Sequence, residues 1–247
     1  MYFALRVVSK MRFCSCFTES VLLVYVAEIY FFDCLSRLIC SVQVTENSYF
    51  QYMKQLLAFF LIASILAFAP DHQPHLKKIF NGKNLKGWIA PPNNVWWTAA
   101  KGVLYVKSTP EKKGSILWTE KKYKDFVIQA DFLMGEGVVD SGIFLRSEND
   151  QIQIGISGSL KRDLTASPYI PKKGYPVEAK VKDILRLKDW NTMKVKVTGK
   201  SYTVWLNGQE VMTYTSENMV AEGPVGLQLH PGNEMSISYR NIRLAEL

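Results

Sequence analysis

From about residue 100 onward, apolar and polar positions of the chain alternate with a period of two, not 3.6. In Asp125–Leu133, Phe126, Ile128, Ala130 and Phe132 share one face, and Gln129 and Asp131 the other. In Asn191–Thr198, Met193, Val195 and Val197 alternate with Lys194, Lys196 and Thr198; Tyr202, Val204 and Leu206 keep the rhythm. Asn207-Gly208 predicts a type I′ hairpin into Gln209–Tyr214, because that turn needs positive φ at both central residues. Further strands are predicted at Gly102–Lys107, Ser115–Thr119, Gly142–Arg146, Gln151–Ile156, Val225–Leu229 and Met235–Leu244. No amphipathic helix of three turns interrupts them. Many short strands separated by turn signals predict an all-β, two-sheet antiparallel sandwich of jelly-roll type, with a β-barrel as the alternative. Trp88 and Trp205 are expected to cap its core. The stretch Ser157–Leu187, rich in Pro, Gly and Lys, breaks the pattern. It is either a functional loop or a solvated one with a short helix near Val181–Leu187.

Composition divides the 247 residues. Every Gly, Pro and Trp lies from Pro70 onward, and all four Cys lie before residue 41. One folded domain would not segregate its residue types in this way. Met53-Lys54, the uncharged apolar run Leu56–Phe68 and the small-x-small end Ala67-Phe68-Ala69 have the anatomy of a secretory signal peptide. Cleavage before Pro70 is expected, with an uncleaved membrane anchor as the alternative, since proline there hinders cleavage. Residues 1–52 are then an upstream extension preceding the true start at Met53. Their apolar stretch Val21–Phe32 carries Glu28 and suits a membrane span poorly. The expected organisation is an extension over 1–52, a signal peptide over 53–69, a linker over 70–77 and a folded domain over 78–247. Localisation is expected to be exported, periplasmic or extracellular. The exported part contains no Cys and tolerates an oxidising compartment.

The net charge is +8. Residues 70–247 hold 25 Lys and Arg against 18 Asp and Glu. The lysines are spread among apolar strand positions, as on a solvated sheet face, so no nucleic-acid partner is expected. No phosphate loop, zinc-type cysteine pair or G-x-S-x-G elbow is present. Nor is the E-x-D-x-x-E strand of sandwich-fold glucanases; Glu136 and Asp140 are four apart, but Gly135 and Gly137 suggest a turn there and not a strand. What remains is a polar set at strand positions. Asp140–Arg146 opens with a carboxylate and ends with a guanidinium. Gln151 and Gln153 share one face, as do Gln228 and His230, and Arg240 follows near the C-terminus. Amide, Arg, His and carboxylate groups on one sheet face, with aromatics for stacking, suit a small carbohydrate. Each also has an ordinary structural use in ion pairs or backbone satisfaction.

At these residues the sequence resembles the 3-keto-disaccharide hydrolase family. Phe80–Trp88 (FNGKNLKGW) is similar to its opening motif; Gly102-Val103-Leu104 and Tyr123–Phe126 follow. Asp140–Arg146, Gln151–Ile154, Trp190-Asn191, Asn207-Gly208, Gly226–His230 and Arg240-Asn241-Ile242 come next, in the family's order. The resemblance covers about residue 78 to the C-terminus. It implies a concanavalin A-like (laminin G-like) jelly roll, usually exported by bacteria, that cleaves 3-keto-glycosides by elimination and hydration. A 3-keto group acidifies the C2 proton, so one base and one enolate-holding site suffice. On this reading Asp140 or His230 is the base, and Arg146, Gln153 and Arg240 hold the enolate and hydroxyls. Gln151 and Gln228 bind sugar, and Lys161 or Arg162 closes the site. Gln151 stands where the family often has Glu and Asp140 where it often has Asn. Gly155, Ile156 and Ser157 stand where an acidic residue is expected. No cofactor follows with certainty, and a divalent metal is left open. A non-catalytic carbohydrate-binding module of the same fold is the alternative.

Overall fold

The computed structural model describes residues 51–52, 54–57, 59 and 74–247. Of these, the residues before 60 are helical. The extension, most of the signal-peptide segment and the first part of the linker lie outside the described residues. No helix among the described residues is long and apolar enough to cross a membrane.

Fourteen strands are described: β1 (Lys77–Lys78), β2 (Trp88–Ile89), β3 (Trp97–Ala100), β4 (Val103–Lys107), β5 (Ser115–Tyr123), β6 (Phe126–Gly137), β7 (Asp140–Leu145), β8 (Gln151–Gly155), β9 (Pro168–Tyr169), β10 (Asn191–Thr198), β11 (Ser201–Leu206), β12 (Gln209–Thr215), β13 (Gly223–Leu229) and β14 (Met235–Glu246). They build two separate antiparallel sheets, so the fold is the jelly-roll sandwich and not the barrel. The larger sheet runs β12-β11-β10-β6-β14-β4-β3, with β1 added on β14; the smaller runs β2-β5-β13-β7-β8-β9.

The period of two sets the core. Phe126, Ile128, Ala130 and Phe132 of β6 and Met193, Val195 and Val197 of β10 are all buried, as their alternation requires. Facing them from the smaller sheet are Leu117, Ile143, Leu145, Ile152, Ile154, Val225 and Leu227. Each such side chain contributes on the order of 1.5–3 kcal/mol on burial. The Asn207-Gly208 turn has φ of 50° and 86°, the positive pair that a type I′ hairpin needs.

Three expectations need correction. Trp88 is buried, its indole N–H donating to the Ile79 carbonyl at 3.1 Å. Trp205, however, does not cap the core. It alternates with buried Val204 and Leu206, so it falls on the outer face, where Lys194 Nζ lies 4.5 Å from its ring centre. Val181–Leu187 is not a helix; the Ile184 and Leu185 N–H groups both turn back to the Val181 carbonyl, and the turn does not continue into a helix. Gly135 and Gly137 do not end β6 early. The strand runs through them to Gly137, and β7 resumes at Asp140.

Candidate functional site

Because Ile143 and Leu145 of β7 point inward, Gly142 and Phe144 point outward. The register carries this parity across the sheet: Gly142 pairs with Gln153 and Phe144 with Gln151 of β8, and Gly226 of β13 pairs with Phe144. Two residues along β13, Gln228 shares the face, and His230 follows just past the strand. The polar positions of three strands thus meet on the outer face of the smaller sheet. There they line a cleft of about 420 Å³, together with Glu148, Tyr169 of β9 and the loop residues Ser157, Gly158 and Tyr175.

Asp140 sits at the base of this cleft and is buried. Its Oδ1 accepts from Gln153 Nε2 at 2.8 Å and its Oδ2 from the Gly158 N–H at 2.9 Å. His230 Nδ1 lies 3.7 Å from Oδ2, too far for a hydrogen bond but close enough for an imidazolium to feel the carboxylate. The same Nδ1 is 2.7 Å from the Pro231 carbonyl oxygen, which can only accept. Nδ1 therefore carries a hydrogen, and in the neutral ring Nε2 is the proton acceptor.

The three glutamines form one network. Gln151 Nε2 donates among the Ser141 carbonyl (3.2 Å), Gln153 Oε1 (3.1 Å) and Gln228 Oε1 (2.9 Å). Gly142 makes room for it: a Cβ there would lie 2.2 Å from Gln151 Nε2. Beneath, Ser141 Oγ donates to the Gln228 carbonyl at 2.6 Å and lies 2.8 Å from the Tyr239 hydroxyl. Tyr239 is wholly buried, and its burial raises its pKa well above the ordinary tyrosine value. Since the Ser141 proton is used on Gln228, Tyr239 is the donor to Ser141. The polar floor is thus tied to the core.

Aromatic walls come from the long loop. Tyr169 and Tyr175 meet with ring centres 5.2 Å apart and planes inclined by 55°. Burial pushes the Tyr175 phenol above its ordinary value, a hydrogen bond from Ser157 opposes this, and the Asp140 charge adds to the rise. Its O–H stays protonated and available as a donor.

Asp140, Gln151, Gln153, Gln228 and His230 converge on the cleft; Arg146, Arg240, Lys161 and Arg162 do not line it. Arg146 follows the end of β7 with φ 66° and turns inward. It donates to the Gly199 and Val220 carbonyls at 2.7 and 3.0 Å and to Asp125 at 3.0 Å. Burial lowers its pKa, with Asp125 and Asp150 opposing. Arg240 belongs to the larger sheet, where it pairs with Asp131 and stacks 4.0 Å over Trp190. Arg162 pairs with Glu178 away from the cleft, and Lys161 closes a turn through its backbone N–H to Ser157. The sequence reading missed Phe144, Glu148, Tyr169 and Tyr175. The two tyrosines carry a signal in the sequence, an aromatic pair within the Pro-rich stretch 157–187. Among the described residues no group of three or more His, Cys, Asp or Glu is placed to hold a metal ion.

A jelly-roll sandwich with an amide- and aromatic-lined cleft on one outer sheet face is a domain of carbohydrate-related type. The chain belongs to the 3-keto-alpha-glucoside-1,2-lyase-like domain family, which it matches over residues 75–245. Three crystal structures of candidate glycosyl hydrolases from Parabacteroides distasonis ATCC 8503 share the fold. Two have a TM-score of 0.54, at 21% and 18% identity, covering 70% of this chain and 100% and 94% of theirs. The third has a TM-score of 0.51 at 21% identity, covering 70% of this chain and 84% of its own. No curated protein matches the sequence.

Proposed function

We propose that this domain cleaves the glycosidic bond of 3-keto-glycosides by C2-proton abstraction, elimination and hydration. The observation that carries this reading is the Asp140–His230 pair in a glutamine-lined cleft of a family member. His230 Nε2 is the proton acceptor that faces the C2 hydrogen. The electron pair left on C2 delocalises into the C3 carbonyl as an enolate. Its collapse forms the C1=C2 bond and breaks the bond from C1 to the leaving oxygen, which takes up a proton. Water then adds its hydroxyl to C1 and a proton to C2, so the sum is hydrolysis. Asp140 stabilises the imidazolium formed in the first step. Arg146 and Arg240 are committed elsewhere, so the enolate falls to neutral donors: the Gln228 NH2, whose Oε1 is held by Gln151, and the Tyr175 hydroxyl.

The test is to incubate the purified chain with 3-keto-trehalose, 3-keto-sucrose and a 3-keto-glucoside, with and without EDTA, and to follow leaving-group release. Release is expected, falling at least about 100-fold in His230→Ala and in Asp140→Asn. Full turnover in both variants would place the base elsewhere. A second reading, a non-catalytic sugar-binding module, draws on the fact that both Asp140 oxygens already accept protein hydrogen bonds. Sugar binding without release would select it. The signal-like segment at 53–69 supports an exported site of action, and N-terminal sequencing of the natural protein tests it.

A further inference from the structure

The cleft does not stop at Asp140 and His230. Phe144, Glu148 and Gln228 line a second depression as well, of about 400 Å³, whose far side is formed by Ile116 and Trp118 of β5. The register explains the continuity. Gly226 pairs with Trp118 on one side and Phe144 on the other, so these three positions form one row across the outer face. With no side chain at 226, the Trp118 ring lies over the strand; a Cβ there would be 2.6 Å from its Cζ3. The Trp118 and Phe144 rings are 5.5 Å apart and inclined by only 30°. Trp118 is half-buried, which leaves part of its ring to solvent.

The two halves differ in chemistry. The Asp140 side is walled by amides, a carboxylate and an imidazole, which suit hydroxyl and keto groups. The Trp118 side offers the part-exposed Trp118 ring, backed by the buried Phe144 ring, which suits the C–H face of a pyranose ring. Glu148, exposed where the halves meet, is an acceptor for sugar hydroxyls. We propose that the Trp118–Phe144 floor is the subsite for the second, leaving-group sugar of a disaccharide whose 3-keto ring lies over Asp140 and His230. This rests on the functional reading above and adds to it the side on which the departing sugar sits and the residue that selects it.

The test compares a 3-keto-disaccharide with the methyl 3-keto-glucoside, which shares the keto ring but lacks the second sugar. The readout is the ratio of their kcat/KM values. The wild-type protein is expected to favour the disaccharide, and Trp118→Ala to lower that preference about tenfold. Trp118→Phe, which keeps a ring over Gly226, is expected to retain most of it. Gly226→Ala provides the same test without removing the indole, because its Cβ displaces the Trp118 ring. It decides the matter if Trp118→Ala fails to fold. An unchanged ratio in the folded variants would overturn the subsite. If the wild-type protein turns over neither compound, the pair is compared by calorimetric Kd. A disaccharide preference lost in Trp118→Ala then supports the subsite while the catalytic reading fails. Equal wild-type binding of both overturns the subsite along with the catalytic reading, and binding of neither overturns the sugar site as a whole.

Discussion

Gly142→Ala is a one-carbon change that should act almost wholly through Gln151. Gly142 has no positive φ, so alanine is conformationally acceptable there. Taken alone, the substitution would stabilise by about 0.4–1 kcal/mol through the unfolded chain. The new Cβ, however, would stand 2.2, 2.6 and 2.7 Å from Gln151 Nε2, Cγ and Cδ. The whole side chain must swing away, and its amide leaves the Ser141 carbonyl, Gln153 Oε1 and Gln228 Oε1. Two amide hydrogens can make only two full bonds, worth about 1 kcal/mol each, and an acceptor left buried adds about 1–3. After the backbone gain, the expected cost is about 2–4 kcal/mol. A double-mutant cycle isolates the cause. In a Gln151→Ala background these three contacts are gone, and Gly142→Ala should then show its backbone gain of about 0.4–1 kcal/mol instead of a cost. Urea unfolding of the four proteins supplies the numbers. An equal penalty in both backgrounds would refute the claim that Gly142 exists to seat Gln151.

The remaining tests concern the buried ions. Arg146→Met leaves Asp125 and the Gly199 and Val220 carbonyls without their partner, so a loss of about 3–5 kcal/mol is expected. Sugar affinity of the folded fraction should be kept; loss of affinity with stability intact would restore Arg146 to the site. Burial raises the Asp150 carboxyl above its ordinary 3.8, although hydrogen bonds from Ser216 and Tyr202 and the Arg146 charge oppose it. Its folded pKa exceeds the unfolded one, so its stabilisation is present below the ordinary value and is lost as pH rises through the folded one. Asp150→Asn, which still accepts from Tyr202, should gain stability relative to wild type over the range from the ordinary value up through the raised folded one. A difference that shrinks over that range in chemical denaturation would contradict the sign.

The alternation of apolar residues was enough to read the sandwich. A side chain two residues from a buried one must share its face, whatever the rest of the chain does, and so β6, β10 and the Asn207-Gly208 hairpin were legible. The same rule put Gln151 beside Gln153 and Gln228 beside His230, and so named four of the residues that meet in the cleft. It did not say which sheet's outer face these strands would build, nor their order. That depends on the β13-β7-β8 register, set in part by pairings such as Val225–Leu145 and Leu227–Ile143 between distant segments of the chain. Charge was the misleading signal. Arg146 and Arg240 suit an oxyanion as residue types, but Asp125 and Asp131 reach them first in the folded chain. Trp205 is a different case, since its position on the solvent face follows from parity alone and only its bulk suggests the core. Local periodicity is a property of neighbouring residues and is therefore written in the sequence. Which cation finds which carboxylate, and which loop tyrosine closes over a sheet, are decided by distances that exist only once the two sheets have packed.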